Sequence, residues 1–289
     1  MSDQQVLDKR QLRRSFEKAA ATYDASAVLQ HEVGRRMLSR LDYIRHEPAS
    51  ILDAGSGTGD ALAALQARHP RAVLLALDIA LAMVRRAHRR APWWRRMLGR
   101  GVVPVCADLE QLPLSEGAVG MVWSNLALQW TNEPQRAFAE FKRVLAPGGL
   151  LMFSTFGPDT LKELRAAYHG TDGHTHVNRF VDMHDLGDML VRAGYADPVM
   201  DMEYMTLTYP DVRALMRDLK AIGARNVTRG RRQGMTARAT LAAVTRNYEA
   251  LRRDGRLPAT FEIVYGHAWK PQPRTMADGR PVIPIKARS

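Results

Sequence analysis

Ile51-Leu52-Asp53-Ala54-Gly55-Ser56-Gly57-Thr58-Gly59-Asp60 is the stretch that decides the fold. The apolar run from Ser50 to Leu52 reads as a buried parallel strand. It breaks into three alternating glycines, and a helical pattern follows at once with Ala61, Leu62, Ala64 and Leu65. Strand, glycine turn and helix open a nucleotide-binding βαβ unit, in which glycine permits φ > 0 and lets a ligand approach the backbone. The helix N-terminus is expected to offer unpaired N–H groups to that ligand. Dinucleotide binders space their glycines G-x-G-x-x-G. Here Gly55, Gly57 and Gly59 give G-x-G-x-G, with Asp53 ahead of them. An acidic residue in that place suits a cationic ligand and suits a pyrophosphate badly.

Outward from this stretch the pattern is that of a doubly wound sheet. Val73 to Leu77 is a second buried strand, and it ends in Asp78, 19 positions after Gly59. An acidic residue at about that distance binds ribose hydroxyls, and its two oxygens can accept from both. Capping the next helix, Ala80 to Arg89, is its ordinary alternative role. Val102 to Cys106 is a third strand, and its lone cysteine is expected to be a buried small residue. Asp108-Leu109 follows, where the acid either takes an adenine amino group or only shapes a turn. Val119 to Ser124 is a fourth strand, running into Asn125-Leu126-Ala127-Leu128-Gln129-Trp130. A helix from Glu133 to Leu145 carries Pro134 in its first turn, and Pro147-Gly148-Gly149 then turns the chain into a fifth strand, Leu150 to Phe156. Ligands of such sheets bind outside the carboxyl ends of the strands. Asp53, Asp78, Asp108, Asn125 and Phe156 are therefore expected along one edge.

Before the sheet, Val6 to Ala21 and Val28 to Leu41 read as two helices interrupted at Thr22-Tyr23-Asp24, placed to cap a cofactor site. After it, helices are expected over Asp159 to Tyr168, Asp182 to Ala193, Val212 to Ile222 and Thr236 to Arg252. Two strands are expected near Val199 to Tyr204 and Met205 to Tyr209, and a closing strand over Phe261 to Trp269. Pro92-Trp93-Trp94-Arg95-Arg96 reads as a surface excursion without an assigned role. The tail from Pro271 reads as mobile.

The 289 residues are 46% hydrophobic and 25% charged, ordinary for a soluble protein. No apolar run reaches the length of a membrane span, and the polar N-terminus is not a secretory signal, so a cytoplasmic setting is expected. Net charge is +12. Residues 210–256 hold twelve Lys or Arg against four Asp or Glu, a net +8. Such an excess fits an acidic partner or a nucleic acid, or is a solvated face. His174, His176 and His184 match no metal-ligand spacing, and no metal is expected.

The D-x-G-x-G-T-G form resembles motif I of class I S-adenosylmethionine methyltransferases, whose ligand carries an ammonium and a sulfonium. More specific segments resemble the malonyl-acyl-carrier-protein O-methyltransferases of biotin synthesis, over nearly the whole chain. They include Arg14-Ser15-Phe16, Tyr23-Asp24, Ser124 to Trp130, Phe156-Gly157-Pro158-Asp159-Thr160-Leu161, Phe180 to Asp188, and Leu219-Lys220-Ala221-Ile222-Gly223-Ala224. The second half is also similar to mitochondrial arginine hydroxylases that assist respiratory complex I assembly, which leaves a protein-modifying assembly factor as an alternative. A nucleic-acid methyltransferase is a third possibility, disfavoured because the fourth strand lacks the Asn/Asp-Pro-Pro-aromatic motif used on base amines.

The resemblance implies an α/β, Rossmann-like fold with a doubly wound, mostly parallel seven-stranded sheet. One methyltransferase domain spans 1–289: a helical cap (1–47), a cofactor core (48–156), a substrate half (157–270) with a basic helical insertion (210–256), and a tail (271–289). It implies methyl transfer from S-adenosylmethionine to the free carboxylate of malonyl-acyl-carrier protein, an acidic partner. Asp53, Gly55, Ser56, Gly57 and Gly59 would hold the cofactor from the loop. Asp78, Ile79, Met83, Asp108, Leu109 and Asn125 would hold it from neighbouring strand ends. Tyr23, Gln129, Trp130 and an Arg from the second half are the candidates for holding the substrate carboxylate, with plain packing the alternative for each. Phe156 is a candidate on the substrate side, and Lys220, Arg225, Arg229, Arg231 and Arg232 are candidates for carrier docking.

Overall fold

The computed structural model describes residues 6–91, 97, 101–171, 176–223 and 238–273. In chain order, α1 (Lys9–Ala19), α2 (Tyr23–Ser26) and α3 (Val28–Arg40) precede the sheet. Next come β1 (Ser50–Ala54), α4 (Leu62–Arg68), β2 (Val73–Asp78), α5 (Leu81–Arg90), β3 (Val103–Cys106) and β4 (Val119–Ser124). α6 (Pro134–Val144), β5 (Leu145–Phe156), α7 (Lys162–Tyr168), α8 (Met183–Arg192) and β6 (Ala196–Tyr209) follow. α9 (Val212–Ala221), α10 (Arg238–Glu249) and β7 (Leu257–Trp269) complete the described elements.

The described strands form one seven-stranded sheet in the order β3-β2-β1-β4-β5-β7-β6. β1 to β5 pair in parallel, while β7 runs antiparallel between β5 and β6. The apolar runs are continuous because both faces of the sheet are covered. Successive side chains point to opposite faces. Ile51, Met121, Trp123, Leu150 and Ile263 pack on the side of α3, α4, α7 and α10. Their neighbours Leu52, Val122, Leu151, Phe153 and Val264 pack on the side of α6 and α8. Strand order reverses direction between β1 and β4, and the glycine loop leaves the sheet at that point.

Several boundaries differ from the sequence reading, each for a local reason. Pro147-Gly148-Gly149 does not end in a turn before the strand. β5 begins at Leu145, and a register shift against β4 between Val119 and Met121 absorbs the irregular residues. β6 is one strand of 14 residues, paired with β7 from Val199 to Tyr209, where two were expected. α7 starts at Lys162 because Leu161 takes φ 57° and its N–H is drawn to Thr260 O of β7 at 2.6 Å. Cys106 is exposed, not buried, because β3 is the edge strand. Residues 92–96 and the tail beyond residue 273 lie outside the described residues. Among the described residues no helix is long and apolar enough to cross a membrane.

Helix α1 is held over the first half of the sheet by side chains rather than by a broad apolar face. Asp8 caps it, accepting from Arg10 N at 3.0 Å and Gln11 N at 3.1 Å. Glu17 accepts from Leu81 N (2.7 Å) and Ala82 N (3.0 Å), capping α5 from outside. Asp24 of α2 bonds Thr58 of the glycine loop and Arg90 of α5, the latter at 2.7 Å.

Candidate active site

The carboxyl edge of the sheet carries two adjoining chambers. The first, of ≈ 590 Å³, lies over the glycine loop and is lined by Gly55, Gly57, Asp78, Ile79, Met83 and Leu109, among others. The second, of ≈ 720 Å³, lies toward β5 and β7 and is walled by Phe156, Leu164, Phe180, Leu219 and Phe261. Phe16, Tyr23, Leu126 and Trp130 line both chambers and form the wall between them. Phe16 meets Trp130 edge to face at 5.4 Å. Leu126 holds φ 47°, an uncommon conformation for leucine, because its N–H is bonded to Ser154 O (3.1 Å) and Ser154 Oγ (3.0 Å). Strain of this kind gathers at functional sites.

The glycines of the loop serve different ends. A Cβ on Gly55 would lie 2.2 Å from Ala127 Cβ, and one on Gly59 would lie 2.9 Å from Ala87 Cα of α5. These two glycines allow close packing of the loop. Gly57 faces the chamber, where a Cβ would meet only Tyr23, at 3.7 Å. The N–H groups of the loop itself are already engaged. Gly55 N and Ser56 N both donate to Leu77 O at 2.8 Å, and Gly57 N donates to Asp78 Oδ2 at 3.0 Å. The loop is thus braced by the end of β2 before any ligand arrives. Ser56 is buried, and its Oγ has no partner among the described residues.

Two acidic groups in and under the first chamber, Asp53 and Asp78, have no cationic partner among the described residues. Asp53 is 3% exposed and lies beneath the loop, not among the residues lining the chamber. Burial, followed by the neighbouring Asp78 and Asp60, pushes its pKa from 3.8 up to about 8. Asp78 is pushed up to about 6 by burial, against the pull of its N–H donors Ala80 (2.8 Å) and Gly57. Asp78 thus serves both alternatives: it receives Ala80 N near the start of α5 and it lines the chamber. Two buried carboxylates whose charge is disfavoured are what a cation-bearing ligand would stabilise. The residues present therefore fit a ligand with a positive charge and vicinal hydroxyls. Asp108 lines the chamber, and its Oδ1 is paired with Lys9 Nζ at 2.9 Å; Lys9 also bonds Glu110.

The remaining candidates fall as follows. Asn125 lines the first chamber and ties it to both flanks, accepting from Ser154 Oγ at 2.8 Å and donating to Gln30 O at 2.9 Å. Gln129 lines the second chamber, but its amide is held at both ends, by Leu126 O (2.7 Å) and Thr155 Oγ1 (3.2 Å). Burial first, then Asp78, Asp24 and Asp60, raise the Tyr23 phenol well above its ordinary pKa of 10. Phe156 is an inner wall of the second chamber, packed on Phe180 at 5.5 Å, not part of an outer docking face. Among the described residues no Arg or Lys lines that chamber, so the arginine expected from the second half is not found there. Lys220 is exposed on α9. Arg225, Arg229, Arg231 and Arg232 lie outside the described residues, as does His174. His176 stacks on Tyr168 at 3.7 Å, and His184 sits 3.0 Å from Asp182.

Two chamber residues escaped the sequence reading. Gln30 Oε1 and Asn178 Oδ1 are buried without partners among the described residues, and both residues line the second chamber. Buried amide atoms in that state await a polar group. The signal for Gln30 was a polar residue in line with the buried Val33 and Met37 on α3. Nothing local marks Asn178.

A family model described as a methyltransferase domain matches residues 52–153. A malonyl-acyl-carrier-protein O-methyltransferase of Gallionella capsiferriformans is 57% identical over 279 residues, covering 96% of each chain. One from Laribacter hongkongensis is 56% identical, covering 98% of this chain and 97% of that one. Among solved structures, a putative methyltransferase of Bacillus halodurans superposes with a TM-score of 0.56 at 18% identity, covering 81% of this chain and 99% of that one, which shows the fold. These relatives do not favour a hydroxylase-like assembly factor or a nucleic-acid methyltransferase.

Proposed function

The chain belongs to the malonyl-acyl-carrier-protein O-methyltransferase family, and from that premise we propose that it methylates the free carboxylate of malonyl-acyl-carrier protein to the methyl ester, an early step of biotin biosynthesis. The observation that carries this reading is the pair of chambers divided by one wall of side chains. The cofactor is S-adenosylmethionine, which supplies an electrophilic methyl on a sulfonium when bound. Gly55, Gly57, Ile79, Met83, Leu109 and Asn125 would hold it by shape, and Asp78 would accept from its ribose hydroxyls. Asp53, from beneath, would add an attraction for its positive charge.

The malonyl carboxylate, with a pKa of about 4, is ionised at pH 7 and is already a nucleophile. No general base is needed, and Tyr23 is unsuited to being one, since its environment holds the proton on the phenol. That O–H can instead donate to the carboxylate and offset the cost of taking it out of water. The side-chain amides of Gln30 and Asn178 also line this chamber, and their N–H groups, if turned toward the carboxylate, would be further donors. Phe16 and Trp130 exclude water at the wall, and their ring faces favour a nearby cation. Rate then comes mainly from holding two partners in line. Cap (1–47), core (48–156) and substrate half (157–270) share the work on this reading, with the reaction placed in the cytoplasm.

The test is intact-mass measurement of the carrier after incubation with S-adenosylmethionine. Malonyl carrier protein should gain one methyl group, and acetyl carrier protein, which lacks the carboxylate, should gain none. Methylation of both, or of neither, would contradict the reading.

A further inference from the structure

Helix α1 carries Arg10, Arg14 and Lys18 at intervals of four, one above the next on one face. Helix α9 carries Arg217 and Lys220, three apart and so also on one face. All five are exposed, and all five line one groove of ≈ 1590 Å³ between the two helices. None of them is ion-paired among the described residues. Asp8, the one carboxylate among the groove's described residues, is already engaged as the N-cap of α1. Like charges at i,i+4 weaken a helix, and two facing rows repel one another further. Neither row supports the fold, and together they make a surface that attracts anions.

The same two helices roof the second chamber. Phe16 of α1, with Leu219 and Ile222 at the end of α9, line it from the other side. At the seam a Cβ on Gly223 would come 2.9 Å from Phe16 Cδ1 and 3.5 Å from Ala19 Cβ, so the helices touch there. A partner seated in the groove would have the chamber directly behind its contact surface.

We propose that the α1–α9 groove is the docking site of an acidic carrier protein, which lays an acidic helix along the two basic rows and passes its malonyl arm beside the seam into the second chamber. This rests on the methyl-transfer reading above. A carrier is favoured over a nucleic acid by what lies behind the groove. The chamber is largely apolar and without Arg or Lys among the described residues, which suits an acyl thioester and leaves a phosphodiester chain unpaired.

The test compares two donors on wild type and on the variant Arg14→Glu, Lys18→Glu, Arg217→Glu: malonyl carrier protein, and malonyl-N-acetylcysteamine, an arm with no protein and no phosphate. The variant should raise KM for the carrier at least about tenfold, leave turnover of the small donor within about twofold, and abolish the rise of carrier KM with salt seen in wild type. Equal losses on both donors, or no change on either, would overturn the proposal. Should the triple variant fail to bind S-adenosylmethionine and so prove misfolded, Arg14→Ala and Lys18→Ala made singly give the same comparison at smaller scale. Calorimetric titration of malonyl carrier protein separates docking from chemistry. If wild type turns over neither donor, the reaction reading falls, while docking stands if the carrier binds and the charge reversals weaken it. Unchanged carrier binding in the variant, or a wild type that binds single-stranded RNA and ignores the carrier, would overturn it.

Discussion

The first chamber is built from neighbours and braced before use, whereas the second is gathered from afar and left open. Around the first, Gly55, Ser56 and Gly57 are tied to Leu77 O and Asp78, and two carboxylates are held in an environment that disfavours their charge. Around the second, Phe16, Gln30, Gln129, Phe156, Asn178 and Leu219 come from widely separated segments, and two side-chain amide oxygens there lack partners among the described residues. The braced chamber recognises by backbone shape and charge, where small changes are felt at once. The open one recognises by apolar burial with a few polar points, where single changes should cost less. The wall of Phe16, Tyr23, Leu126 and Trp130 belongs to both, so its residues should act on the transfer more than on either binding step.

The largest effect is expected at Gly55→Val. Its φ of 83° is one that a β-branched residue avoids, and its Cβ would lie 2.2 Å from that of Ala127. Calorimetry should find no measurable binding of S-adenosylmethionine, with a lowered melting temperature. Gly57→Val should lower the melting temperature less, because no packed atom lies where its Cβ would go, but its φ of 53° and a side chain entering the chamber should abolish cofactor binding as well. The reverse order would mean that the loop is not braced as described.

Asp78→Ala comes next. It removes a charged acceptor for the ribose hydroxyls and releases Gly57 N. A lost hydrogen bond to a charged group costs about 1.5–3 kcal/mol, roughly ten- to over a hundredfold in affinity. Unchanged affinity in a folded variant would remove Asp78 from the site.

Tyr23→Phe tests the wall. Turnover on malonyl carrier protein should fall by about tenfold, while cofactor affinity stays within about twofold, since only the phenol O–H is lost. Equal turnover would reduce Tyr23 to a packing residue.

A separate test is stability against pH. Asp53 has its pKa raised in the folded protein from 3.8 to about 8, so the folded state holds this proton more tightly than the unfolded state. Its contribution is present in acid and is lost as pH rises toward the folded value. The melting temperature of the cofactor-free protein should therefore fall from about pH 5 to about pH 8, less steeply in Asp53→Asn. Added S-adenosylmethionine should stabilise more at the upper end. Identical slopes in wild type and variant would show that Asp53 bears no such load.

The braced chamber was largely legible in the sequence. A ten-residue motif and the acidic ends of three strands lie within about sixty residues, and strands buried on both faces leave continuous apolar runs that end in polar or glycine residues. What could not be read there was pairing. The glycines marked the loop, but nothing in their spacing shows that its N–H groups are taken by Leu77 O and Asp78. Cys106 was expected inside, but burial depends on strand order, and β3 is at the edge. The open chamber was hardly legible from pattern. Gln30 carries only the faint mark of a polar residue in line with Val33 and Met37, Asn178 carries none, and Phe156 could be placed at a strand end but not on a particular wall. The basic rows on α1 and α9 are about two hundred positions apart, so the charge count singled out 210–256 and passed over Arg10, Arg14 and Lys18.

The division of labour between the chambers is tested most directly by a crystal structure with S-adenosylhomocysteine and a non-hydrolysable malonyl-pantetheine amide. The ribose should lie against Asp78 in the first chamber, and the malonyl carboxylate should lie within hydrogen-bonding reach of Tyr23 Oη on the side of the second. Both ligands in one chamber, or a malonyl group bound away from Tyr23 and Trp130, would contradict the account.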